Sequence, residues 1–186
     1  MPDDPAAAAS HQGDPATGQG DPPLLLILCT GNAARSVMAG VMLAPAPVRI
    51  VTAGTHVVEG QPIGRRTKEA LASVGFRSEG HRSHQLTESD IAAADLIVAM
   101  AGEHVAYIRR LYPEAAARTA SIKRFCRDLP AGPLPLSDRV SALGLDTVDI
   151  GEWEDVEDPA GGDDEAYRSC AKELADLCSE LRLRLT

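Results

Sequence analysis

The chain has 186 residues, enough for one domain, and 44% of them are apolar, enough for a sizeable core. Aromatics are only 3%, so that core must be assembled from Ala, Leu, Val and Ile. A net charge of −9 argues against nucleic acid or an anionic membrane as the main partner, and no run approaches the ~20 apolar residues of a membrane span. The first residues lack the basic segment of a signal peptide, and four cysteines without paired metal-ligand spacing suit a reducing compartment, so the expected location is cytoplasmic.

Residues 1–22 are mostly Ala, Gly, Pro, Asp and Gln and read as a disordered tail ahead of a domain over 23–186. Leu24–Leu28 reads as a strand and Val37–Leu43 as a helix, joined by the loop Cys29–Ser36. Val48–Thr52 is a second strand, closed by the turn Ala53–Thr55. Helical spacing runs from Arg65 to Val74 and stops at Gly75, a plausible C-cap. Thr87-Glu-Ser-Asp90 has the form of a capping box before a short helix. Asp95–Met100 is a third strand, apolar as in a sheet covered on both faces. Gly102–Tyr112 is a helix stopped at Pro113, and Arg118–Ile122 is a fourth strand.

The segment 126–153 contains Pro130, Gly132, Pro133 and Pro135, then a short amphipathic piece from Ser137 to Leu145. It reads as a long inserted excursion, either a lid or partner surface or a solvated decoration. The last helix places Tyr167, Cys170, Ala171, Leu174, Leu177, Cys178 and Leu181 on one face, which makes Cys170 and Cys178 buried thiols. Strands alternating with helices imply an α/β fold with a parallel sheet and helices on both faces, and ligands of such sheets sit at the carboxyl ends of the strands. Cys29 stands at such an end.

Cys29-Thr-Gly-Asn-Ala-Ala-Arg35 carries the chemistry. A loop of this length, opening a helix, can turn the backbone N–H groups of Thr30, Gly31, Asn32, Ala33, Ala34 and Arg35 toward one centre, where the helix N-terminus adds partial positive charge. Arg35 adds a planar fork that matches two phosphate oxygens. Donors and a cation around Cys29 favour its thiolate, and a thiolate under a bound phosphate is placed to attack phosphorus. The leaving group then needs a proton donor on the far side. Asp158, in Val156-Glu-Asp-Pro159 ahead of Gly161 and Gly162, is the candidate. Eight carboxylates fall within residues 152–165, and like charges favour the protonated form of a carboxyl, which suits an acid.

With these motifs the chain resembles the low-molecular-weight protein tyrosine phosphatases over most of residues 24–181. The resemblance rests on the Cys29–Ser36 loop, Thr52-Ala-Gly-Thr55, Gly80-His-Arg-Ser83 ahead of Leu86, Asp95–Met100 and Asp158-Pro159. It implies a flavodoxin-like sheet of four parallel strands in the order 2-1-3-4. It also implies a phosphocysteine formed on Cys29, with Asp158 first protonating the leaving group and then activating water, and no metal or other cofactor. By position, Asn32, Ser36, Thr52 and His81 would hold the loop in shape, Asn32 in the left-handed conformation and Ser36 against the Cys29 sulfur.

This chain departs from the family pattern at several positions. Ala34 stands where many members carry a second, protective cysteine. Ala160-Gly-Gly162 replaces the aromatics that usually follow the acid loop, and His56-Val-Val-Glu59 replaces another aromatic. Ala33 replaces a bulky apolar residue, or the threonine of the arginine-phosphatase branch, and Val37 replaces a proline. The reading is a phosphomonoester hydrolase acting on a phosphoprotein or on a small molecule such as a sugar or nucleoside phosphate. The altered rim leans toward the small-molecule or an unusual substrate, and phosphoarginine is a third option that Ala33 disfavours. Trp153 either supplies one wall or packs beneath the excursion. Two rival functions share the loop: an arsenate reductase, which needs resolving cysteines, with Cys126 the nearest candidate, and a non-catalytic phosphate-binding module.

Overall fold

The computed structural model describes residues 21–186, so all but the last two residues of the expected tail lie outside it. Four parallel strands form one sheet in the order β2-β1-β3-β4: β1 Leu24–Cys29, β2 Arg49–Gly54, β3 Leu96–Ala99 and β4 Thr119–Ser121. This is the flavodoxin-like 2-1-3-4 arrangement. The crossovers are α1 Arg35–Leu43, then α2 Arg65–Ser73 with α3 Glu88–Ala93, then α4 Gly102–Leu111. Three more helices follow β4: α5 Ile122–Asp128, α6 Leu136–Ser141 and α7 Asp164–Leu185. Among the described residues no helix is long and apolar enough to cross a membrane.

β1 is central, and its side chains alternate between two cores. Leu25, Ile27 and Cys29 join Met38 and Met42 of α1, Phe125 of α5 and Leu174 and Leu181 of α7. Leu26 and Leu28 meet Ile91 of α3 and Ile108 of α4 on the opposite face. Burial on both faces is why this strand reads as an unbroken apolar run instead of an alternating one. Each fully buried Leu, Ile or Phe contributes about 1.5–3 kcal/mol, so the layers hold β1 and the loop after it firmly. α7 begins at an Asp163 cap, whose Oδ1 accepts from the N–H groups of Glu165 and Ala166 at 3.0 Å each. Its buried stripe of Cys170, Ala171, Leu174, Cys178 and Leu181 lies against α1 and α2 and follows the expected face.

Beyond β4 the chain differs from the sequence reading. The strand is three residues long and passes directly into α5, where a strand to Ile122 and then irregular chain were expected. Ser121 makes the switch: its Oγ accepts from the Arg124 N–H at 3.0 Å and donates to Glu154 Oε2 at 2.8 Å. Ile122, Phe125, Cys126 and Leu129 are all buried at helical spacing, a pattern visible in the sequence once the strand is allowed to end early. The excursion is anchored, with Arg139 of α6 donating to the carbonyls of Pro130 at 3.0 Å and Arg184 at 2.6 Å. Buried Glu154 binds Arg124, and Trp153 is an exposed ring against the Arg127 guanidinium of α5 at 4.0 Å, so it neither lines the mouth near Arg35 nor packs beneath the excursion.

Candidate active site

The loop Thr30–Ala34 leaves β1 at Cys29, which pairs with Gly54 of β2, and enters α1 at Arg35. Asn32 sits at its turn with φ 48°, in the left-handed region that Asn tolerates. The Asn32 amide is held at both ends. Nδ2 donates to Ser36 Oγ at 3.0 Å, and Oδ1 accepts from the His84 N–H at 2.9 Å. Ser36 Oγ, which accepts from Asn32, lies 3.0 Å from Cys29 Sγ, and its hydroxyl is the group that can donate across this contact once the sulfur is a thiolate. His81 Nε2 lies 3.0 Å from the Asn32 carbonyl, which can only accept, so Nε2 carries hydrogen. Thr67 Oγ1 of α2 donates to the Ala33 carbonyl at 2.9 Å. Among the described residues the backbone N–H groups of Gly31, Asn32, Ala33, Ala34 and Arg35 donate to no protein acceptor. A run of unpaired N–H groups at a helix start is what an anion nest requires.

Arg35 is 4% exposed and its fork is fixed on both sides. Nη1 donates to the Val156 carbonyl at 3.2 Å, and Nη2 donates to Thr30 Oγ1 at 3.3 Å and to Asp158 Oδ2 at 2.5 Å. The acid loop is brought there by backbone contacts. The Val156 N–H donates to the Met100 carbonyl at 2.9 Å, and Asp155 Oδ1 accepts from the Gly102 N–H at 2.7 Å. Asp158, more than 120 positions from Arg35, is thus brought to the Cys29–Arg35 loop at the carboxyl end of the sheet. Thr52 stands apart from them. Its methyl faces Gly40 of α1, and among the described residues its hydroxyl bonds nothing in the loop.

A family model described as low molecular weight phosphotyrosine protein phosphatase matches residues 24–138, more than half of the chain. The chain belongs to the low molecular weight phosphotyrosine protein phosphatase family. It is 30% identical over 164 residues to a protein-arginine-phosphatase of Geobacillus stearothermophilus, covering 87% of this chain and 95% of that one. It is 32% identical over 97 residues to the low molecular weight protein-tyrosine-phosphatase Etp of Escherichia coli K12, covering 51% of this chain and 66% of that one. Among solved structures, the YwlE arginine phosphatase of G. stearothermophilus superimposes with a TM-score of 0.69 at 30% identity, over 87% of this chain and 91% of that one. The low molecular weight protein tyrosine phosphatase of T. tengcongensis gives 0.67 at 30% identity, over 86% and 97%. The chain is accordingly a phosphatase by family.

Two cavities border this phosphatase's loop. One, of about 400 Å³, opens over Arg35 and is walled by Glu103, Asp155, Glu157 and Asp158 with no aromatic side chain. The other, of about 530 Å³, lies beside Thr30 and is walled by His56, Tyr107 and Arg110. His56 and Tyr107 meet edge to face, with centroids 6.4 Å apart. The aromatic pair was hidden in the sequence because its members are fifty-one positions apart, on the turn after β2 and on α4.

Most of the carboxylates expected around Asp158 are engaged by other partners, while Glu157 stays beside it at the mouth over Arg35. Glu154 is held by Arg124, Asp155 by the Gly102 N–H, Asp164 by Arg65 and Arg66, and Glu165 by Arg168. Asp163 is spent on the cap of α7. The charge in contact with Asp158 is the Arg35 cation.

Gly54 touches the loop closely. A Cβ there would lie 2.5 Å from the Thr30 carbonyl oxygen and 2.9 Å from the Asn32 nitrogen, both backbone atoms that cannot rotate away. Gly54→Ala is expected to cost about 1–3 kcal/mol of stability in urea unfolding and, by shifting the loop, about 10²-fold in kcat/KM.

His84, whose N–H holds Asn32, is clasped through its ring by Asp90 at 2.8 Å and Glu59 at 3.3 Å. Burial lowers its pKa, but the bonds to the two carboxylates outweigh burial and raise it above the ordinary value. The folded state therefore favours the imidazolium. Its stabilisation is fully present below the unfolded value, near pH ~6.5, and is lost as pH rises through the raised folded value. Urea unfolding at a series of pH values should show stability falling across that window in the wild type and a flatter profile in His84→Gln.

Proposed function

We propose that the chain hydrolyses phosphorylated side chains of proteins through a phosphocysteine on Cys29, with Asp158 as general acid and then general base. The observation that carries this reading is the convergence at one strand end of the Cys29 thiol, five unpaired loop N–H groups, the Arg35 fork and the Asp158 carboxyl. Sγ attacks phosphorus, the bond to the leaving atom breaks, and Asp158 supplies the proton that atom needs. Water, deprotonated by Asp158, then attacks the phosphocysteine and releases inorganic phosphate. The loop N–H groups and Arg35 face the equatorial oxygens in both steps, where preorganised donors contribute most. Asn32, Ser36 and His81 keep the loop in shape, and Ser36 steadies the sulfur while it is negative.

Two observations bear on the leaving group. The His56–Tyr107 pair beside Thr30 offers a wall for a phenyl ring, which favours phosphotyrosine. The acidic, non-aromatic mouth over Arg35 favours a group that leaves as a cation, and relatives covered over nearly their whole length are named protein-arginine-phosphatases. Phosphoarginine is therefore the second reading, despite Ala33. A redox relay has less support. Burial pushes the thiols of Cys126 and Cys170 up to about 11 and about 12, and that of Cys178 higher still, so none is a ready thiolate.

The test is phosphate release from a phosphotyrosine peptide, a phosphoarginine peptide and a nucleoside 5′-monophosphate in parallel, with Cys29→Ser as the blank. Preference for the first or second peptide selects between the two readings. Release from the nucleotide alone overturns the protein-directed reading, and silence on all three overturns the catalytic one.

A further inference from the structure

His104 is 1% exposed at the start of α4 and has no part in the chemistry described so far. Its Nε2 lies 3.0 Å from Thr30 Oγ1. Arg35 Nη2 donates to the same oxygen at 3.3 Å, and Glu103 Oε1 lies 3.3 Å from it. Counting protons fixes the directions. A guanidinium only donates and a carboxylate only accepts. The one hydroxyl proton of Thr30 therefore goes to Glu103, and its two lone pairs are left for Arg35 and His104. Nε2 must then carry the imidazole hydrogen. Nδ1 is buried with no hydrogen-bond partner among the described residues. As a bare lone pair it is tolerated there, whereas protonation would create a buried N–H without an acceptor, close to the Arg35 cation. Burial first, and then Arg35, push His104 down to about 4, so the ring is neutral at ordinary pH. The groups facing it are Arg35, Glu103, Asp155 and Asp158.

We propose that His104 is a positioning residue of the phosphate site: its Nε2–H locks the Thr30 hydroxyl in the rotamer that accepts Arg35 Nη2, and thereby fixes the plane of the guanidinium. The inference rests on the phosphatase reading and extends it to a residue outside the loop. The guanidinium has two anchors besides Asp158, the buried Val156 carbonyl on Nη1 and the part-buried Thr30 hydroxyl on Nη2. Its third contact, Asp158, is 42% exposed and free to exchange with a phosphoryl oxygen. Without His104 the Thr30 hydroxyl can rotate, the Nη2 anchor is lost, and the fork swings about the Val156 bond that remains.

The experiment compares wild type, His104→Phe, His104→Gln, Thr30→Val and the double variant His104→Phe/Thr30→Val. The dissociation constant of inorganic phosphate is measured by calorimetry, together with kcat/KM on a small aryl phosphate and stability in urea. His104→Phe and Thr30→Val should each weaken phosphate binding and kcat/KM by about tenfold, one charge-assisted bond's worth. The double variant should lose no more than the worse single one, because both act through one contact. His104→Gln, whose side-chain nitrogen reaches the place of Nε2, should recover to within about threefold of wild type. Phosphate affinity equal to wild type in folded His104→Phe, or losses that multiply in the double variant, overturns the proposal. If His104→Phe does not fold, His104→Gln against His104→Asn, which mimics Nδ1, makes the same decision. Binding is read without turnover, so a wild type that binds phosphate but hydrolyses nothing sinks the phosphatase reading while the dissociation constants still judge His104.

Discussion

Cys29→Ser should reduce phosphate release to background, a loss of about 10⁴-fold or more, as removal of a nucleophile does in enzymes whose residues act as a unit. A serine hydroxyl is far less ionised than a thiol and has no base beside it here. Ser36 Oγ, 3.0 Å from Sγ, is a neutral hydroxyl and too weak a base to take a proton away. The same variant should bind inorganic phosphate with an affinity close to that of wild type, since the loop N–H groups and Arg35 are untouched. Rapid acid quench of the wild type during turnover should trap a phosphoryl group on the chain, absent from Cys29→Ala, which keeps no side-chain nucleophile at that position. Residual turnover in Cys29→Ser above about 1% of wild type would place the nucleophile elsewhere.

How much of this was legible beforehand depends on how local each feature is. The strand–loop–helix from Leu24 to Leu43 is written in contiguous residues, and so is the capping box at Thr87, where Asp90 N–H meets Thr87 Oγ1 at 3.2 Å. The buried face of α7 follows from spacing alone. Asp158 was found because a proline and two glycines mark its loop. What the sequence hid lies in contacts between distant elements. Nothing in the string announces that His84 offers its N–H to Asn32, that Thr67 binds the Ala33 carbonyl, or that Gly102 holds Asp155 through its backbone. His104 looks like any helix histidine until α4 is packed against the loop. Thr52 illustrates the opposite error. Its place in the motif marks it as a loop support, but alternation along β2 turns its side chain toward Gly40 of α1. α5 was missed because β4 ends three residues in, and a short buried strand and the first turn of a buried helix have the same apolar look.

Asp158→Asn should lower kcat by about 10²–10³-fold on a substrate whose leaving group must be protonated, such as phosphotyrosine or phenyl phosphate. On an aryl phosphate with a strongly acidic phenol the loss should be small, because that group departs as an anion unaided. The rate plotted against leaving-group pKa should therefore be shallow for wild type and steep for the variant. A second consequence separates an acid from a structural tether. In the free enzyme Asp158 occupies Arg35 Nη2 at 2.5 Å, on the side of the fork that a phosphoryl group would use. An arriving dianion must displace that carboxylate from the guanidinium. Asparagine competes less well for the guanidinium, so Asp158→Asn should bind inorganic phosphate at least as tightly as wild type while turning over slowly. Equal losses on all leaving groups, together with weaker phosphate binding, would instead mean that Asp158 serves to align Arg35 and that the proton comes from another group.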